Sequence, residues 1–216
     1  MATAKTSKRT QWIVFATVGV LSLLADVISK IWARSSLPTV GHGTGPHGAC
    51  IIPDDWIAHA PAKFAACTGA DVPVIAGFWK WRLSMNPGSA FGLFAGLAVG
   101  RILLSLVGIG AVVWIIVTLH KARPYQKILH WALALIASGA ICNLIDRVYS
   151  SVVTDFISWD LHFMVWPTFN VADIVLVVGV GLMFIDIQKE TKREKALKAA
   201  RQEKARDQGL VKDLQE

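Results

Sequence analysis

Charge is scarce in this chain. Of 216 residues, 17% are charged and 54% are hydrophobic, and a mean hydropathy of +0.48 excludes an ordinary water-soluble domain. Cysteine is scarcer still, with Cys50, Cys67 and Cys142 alone. Neither His42, His47 nor His59 stands at a ligand-like spacing from them, so the sequence argues against a metal site. The chain has no internal repeat. What charge exists is placed unevenly, and that placement carries most of the information.

Four stretches are long enough to cross a hydrocarbon core of about 30 Å. They run from Trp12 to Trp32, Ile102 to Leu119, Ile128 to Ile145 and Phe169 to Ile187. The first follows Lys5, Lys8 and Arg9 as a secretory signal would. Its apolar length exceeds a signal core and no clean small-x-small site follows, so we expect a retained membrane helix. Basic residues lie before the first span, between the second and third (Lys121, Arg123, Lys127) and after the fourth (Lys189, Lys192, Arg193, Lys195, Lys198). Lys and Arg mark the cytoplasmic side, so both termini are expected inside. These flanks account for the net charge of +7 without nucleic acid.

The expected organisation is one four-span membrane domain over 1–187, with an outer loop at 37–76 and a charged tail at 188–216 that reads as a solvated helix or a partly disordered segment. In the outer loop, Cys50 and Cys67 lie on the oxidising side, either as a disulfide or as two thiols. Two aromatic segments, Phe78–Met85 and Trp159–Trp166, read as strands of a small extracytoplasmic β-sheet at the membrane interface. The fold class is thus mainly α, a four-transmembrane-helix bundle with that sheet.

Polar residues inside the spans gather toward the outer side. Asp26 and Lys30 share a helix face, as do Asn143, Asp146 and Arg147, and Asn170 and Asp173. Asn86 sits in a turn leading to the second span, and Asp155 follows the third. Singly, each set has a plain structural explanation: an ion pair at the border, an Asp–Arg pair closing a helix, a carboxylate favoured by a helix dipole. Unrelated structural pairs would scatter over both sides. Ionisable groups at a membrane border are costly, and two carboxylates at one face suggest acid/base chemistry. The alternative is a small proton- or ion-coupled membrane carrier, which the lack of a repeat or broken helix weakens.

Together these strings resemble bacterial lipoprotein signal peptidase (signal peptidase II) over about residues 12 to 187. They are Asp26-x-x-x-Lys30, Asn86-x-Gly88-x-Ala90-Phe91, Asn143-x-x-Asp146-Arg147, Val-x-Asp155-Phe156 and Phe169-Asn170-x-Ala172-Asp173. The resemblance implies a membrane-embedded aspartic endopeptidase of the bacterial inner membrane, cleaving prolipoproteins just before a lipid-modified cysteine. Asp155 and Asp173 map onto the catalytic dyad. Asp26, Lys30, Asn86, Asn143, Asp146, Arg147 and Asn170 map onto supporting positions. The implied partners are diacylglyceryl-modified prolipoproteins and membrane lipid, with the protein a monomer that needs neither metal nor cofactor. The chain departs from the family at Cys142, where glycine is usual, in its longer outer loop and in its tail.

Overall fold

A computed structural model of the chain describes residues 8–40, 68–86, 98–150 and 152–213. Cys50, Cys67, the three outer-loop histidines and the string after Asn86 lie outside the described residues. Four long helices carry the spans: α1 (Lys8–Ser36), α2 (Ala98–Lys121), α3 (Lys127–Ser150) and α4 (Val171–Asp213). Each contains a stretch long and apolar enough to cross a membrane. Helix α1 stops where Pro38 disfavours helical geometry in the residue before it. Helix α4 passes from the apolar span into the charged tail without a break at 187/188.

Helix α3 is central and packs against α1, α2 and α4. Ile115 and Leu119 of α2 meet Leu129, Leu133 and Ile136 of α3, with Phe15 and Leu176 closing around them. The approach of α3 to α4 depends on glycine. A Cβ at Gly139 would stand 2.6 Å from the Ala172 carbonyl oxygen, and one at Gly179 would stand 2.9 Å from that of Ala132. Small residues let membrane helices meet at backbone distance. The outward faces expose large apolar side chains such as Leu21, Ile28, Val107 and Phe184, which suits lipid and not water.

Two short strands, β1 (Thr39–Val40) and β2 (Thr68–Gly69), pair with each other. An antiparallel sheet is formed by β3 (Val72–Ile75), β4 (Trp79–Asn86) and β5 (Val153–Trp159) in that order. It packs on the C-terminal end of α1 through Ala33, Leu37, Leu83, Phe156 and Ile157.

Strand β4 falls where the aromatic alternation predicts it. The other expected strand, Trp159–Trp166, is corrected by the structure. Only Trp159 belongs to β5. The chain then folds back, with Leu161 N donating to Met164 O at 2.9 Å and Trp166 N to Trp159 O at 2.8 Å. The true strand is buried from Val153 through Ser158, and a run buried on both faces has no alternation to read.

Candidate active site

Helix α1 presents Asp26, Lys30 and Arg34 at four-residue intervals, a single stripe facing α3. The buried Lys30 ammonium meets three acceptors. Asp26 Oδ2 lies at 2.7 Å, Asp146 Oδ2 at 3.0 Å and Asn143 Oδ1 at 3.3 Å. An ammonium has three donors, so this cation is satisfied without water. Arg34 adds a second positive charge, with Nη2 3.5 Å from Asp146 Oδ1. Two carboxylates therefore face two cations, the condition under which charges are tolerable away from water.

This cluster ties α1 and α3 to the N-terminus of α4 and the start of β5. Asp26 Oδ1 accepts from Ala172 N at 2.8 Å, filling an otherwise unpaired donor of the first turn of α4. Asp146 Oδ2 accepts from Thr154 N at 3.1 Å. The Thr154 hydroxyl oxygen in turn accepts from Arg34 Nε at 2.7 Å and from Arg34 Nη2.

Asn170 precedes α4 and forms a reciprocal cap with Asp173. Asp173 N donates to Asn170 Oδ1 at 3.1 Å, while Asn170 N donates to Asp173 Oδ2 at 3.1 Å. This is the capping-box arrangement with Asn and Asp in its two roles. Because Asn170 Oδ1 faces a backbone N–H, its Nδ2 must turn the other way. It donates to Asp155 Oδ1 at 2.7 Å. Strand β5 brings Asp155 there, since Phe169 exchanges backbone bonds with Ile157 on the β5 edge away from β4.

All four oxygens of the two aspartates accept N–H bonds. Asp155 Oδ2 takes Asn86 Nδ2 at 3.1 Å from the end of β4, and Asp173 Oδ1 takes Asn143 Nδ2 at 2.9 Å. Their surroundings differ. Asp155 is 3% exposed, whereas Asp173 is half-buried in a first helical turn, where the dipole favours negative charge. Burial, with the Asp173 carboxylate adding to it, pushes the Asp155 carboxyl up to about 7. Two carboxylates in unlike environments can divide acid and base roles.

The structure brings all nine residues singled out in the sequence to one end of the bundle. Arg147 is the least engaged. It donates from Nη1 to the Asn143 carbonyl at 3.0 Å and feels both aspartates. Asp146 turns to Lys30 and Arg34, so the explanation of an Asp146–Arg147 pair closing the helix gives way. Arg34 and Thr154 were missed by sequence reasoning. The four-residue step from Asp26 through Lys30 was the available signal for Arg34; nothing local marks Thr154. Cys142 is buried beside Asp26, packed in the cluster it adjoins in sequence.

Comparison with known proteins shows a family and a fold. The family model described as signal peptidase (SPase) II matches residues 18–189. A lipoprotein signal peptidase of Pelotomaculum thermopropionicum is 33% identical over 151 residues, covering 68% of this chain and 95% of that protein. One from Geobacter sulfurreducens is 40% identical over 125 residues, 57% of this chain and 77% of its own. Among solved structures, a bacterial membrane enzyme determined by the in meso method at 2.3 Å resolution superposes with a TM-score of 0.62. It covers 82% of this chain and 88% of its own, and at 22% identity that likeness speaks for the fold.

Proposed function

The chain belongs to the signal peptidase II family, and from that premise we propose that it removes signal peptides from prolipoproteins by aspartic catalysis at Asp155 and Asp173. The observation that carries this reading is the asymmetric pair, one carboxyl buried and raised to about 7, the other in the first turn of a helix. Burial and the neighbouring Asp173 charge both favour a proton on Asp155.

In this reading Asp155 holds the proton and Asp173 is the base. Asp173 takes a proton from a water whose oxygen attacks the scissile carbonyl before the lipid-modified cysteine. Asp155 gives its proton to the carbonyl oxygen, which yields a neutral tetrahedral diol. Asp173 then passes its proton to the leaving amine as the C–N bond breaks. A diol proton returns to Asp155, restoring the carboxyl and leaving a new carboxylic acid on the signal peptide. The asparagines keep each carboxylate aimed, and Arg147 has guanidinium N–H groups left to grip the substrate backbone.

We place the aspartates at the outer face of the bacterial inner membrane, with both termini cytoplasmic. The basic link between α2 and α3 supports this, because it meets the tail at the opposite end. Arg123 Nη1 lies 2.6 Å from Glu190 Oε1, and the Tyr125 hydroxyl donates to the same oxygen at 2.7 Å. Substrates would be diacylglyceryl-modified prolipoproteins reaching a monomer from within the lipid. The test is incubation of the purified chain with such a substrate. Release of the signal peptide by the native chain, and none by Asp155→Asn or Asp173→Asn, is the expected result. Near-normal turnover by either variant overturns the assignment.

A further inference from the structure

The end of the bundle away from the aspartates holds a second polar site, which the peptidase chemistry does not use. A cavity of about 210 Å³ opens between the first turns of α1 and α3, lined by Thr10, Gln11, Val14, Lys127, His130 and Trp131. Gln11 and His130 are 3% and 2% exposed, yet Gln11 Nε2 and His130 Nε2 have no hydrogen-bond partner among the described residues. A buried polar nitrogen without a partner is costly, and two on one cavity call for a ligand.

The donors have one character. An amide N–H, an imidazole that donates from Nε2 in the tautomer protonated there, and the exposed Lys127 ammonium all suit acceptor oxygens, and the cavity lies at the positive ends of two helix dipoles. The carboxylate that acts on His130, Asp186, is buried and already accepts from Gln126 Nε2 at 3.0 Å. Trp131 beside the cavity is 50% exposed, as a residue at headgroup level would be. Gln11 lies fifteen residues before Asp26 on α1, a rise of about 22 Å, so this site is in the other leaflet's headgroup layer.

We propose that this cavity binds the phosphate oxygens of a phospholipid headgroup in the leaflet opposite the aspartates. Gln11 and His130 donate to the phosphodiester, and Lys127 supplies the charge. The shared chemistry is a phosphate oxyanion, and free phosphate is the competing source.

Native mass spectrometry of the full chain in detergent tests this, with phosphatidylglycerol, a diacylglycerol of the same acyl chains and inorganic phosphate as probes. Phosphatidylglycerol should give one saturable adduct that diacylglycerol does not match. Gln11→Leu and His130→Leu should each weaken it about tenfold, the effect of one lost charge-assisted hydrogen bond. Asp155→Asn should leave it unchanged, and Gln11→Leu should leave signal-peptide release unchanged. If the buried variants fail to fold, Lys127→Ala, at an exposed position, should still lower occupancy. Equal binding of diacylglycerol, an adduct indifferent to all three substitutions, or no adduct at all overturns the proposal. Displacement by millimolar inorganic phosphate would assign the site to free phosphate instead.

Discussion

Lys30 Nζ lies 3.3 Å from Asn143 Oδ1, and that contact decides which atom Asn143 turns toward Asp173. An ammonium can only donate, so it takes the amide oxygen and leaves Nδ2 to donate to Asp173 at 2.9 Å. A residue of α1 thus sets the hydrogen bonding of a carboxylate on α4 through a side chain of α3.

Replacing Lys30 by Met should be severe on two counts. It leaves Asp26 and Asp146 buried with one cation fewer, a loss of about 3–5 kcal/mol by analogy with broken buried pairs. It also removes one of the two donors that orient Asn143, leaving only Asn170 Nδ2 at 3.3 Å on its Oδ1. Thermal melting in detergent should show the first effect, and turnover of the folded fraction the second. A variant with native melting temperature and native turnover would contradict both.

Asn170 has two separable duties, capping α4 and donating to Asp155. Asn170→Ser keeps an oxygen for the cap but loses the donor, whereas Asn170→Ala loses both. Only the Ala variant should drop stability by the roughly 1 kcal/mol of a lost cap. Both should lose turnover, by something of the order of 10²-fold for a misaligned catalytic group. Equal turnover of Asn170→Ser and the native chain would remove Asn170 from the positioning role.

The raised Asp155 carboxyl fixes the direction of two pH effects. If its proton is needed, turnover falls as pH rises through about 7. Stability runs the same way. Between the ordinary aspartate value of 3.8 and about 7 the folded chain holds more protons than the unfolded one, so stability declines as pH rises across that window. Asp155→Asn should flatten the slope of melting temperature against pH there. An unchanged slope would mean Asp155 is not the group that resists ionisation.

Glycine at 139 is required by the backbone of α4. Gly139→Ala places a Cβ 2.6 Å from the Ala172 carbonyl oxygen, so the first turn of α4 must move, and Asp173 with it. Overpacking of this kind costs about 1–3 kcal/mol, and turnover should fall as well. Gly181→Ala, where nothing lies within 4 Å of the new atom, is the control and should be neutral in melting and turnover.

The sequence by itself determined the four spans. Long uncharged runs can satisfy their backbone in lipid only as helices, and that constraint is local. It also marked the nine polar residues, because their gathering on one side and their joint match to the family's strings stand out where each set singly has a plain structural explanation. Tertiary structure decided what those residues do to one another. The bond from Ala172 to Asp26 joins positions 146 apart, and no local pattern contains it. Strand β5 was hidden because burial on both faces erases alternation, and its register against β4 and Phe169 is what delivers Asp155 to Asn170. The amide orientation of Asn143 follows from a donor-only partner on another element, so it exists only once α1 and α3 have packed, whereas that of Asn170 is set locally by the cap with Asp173.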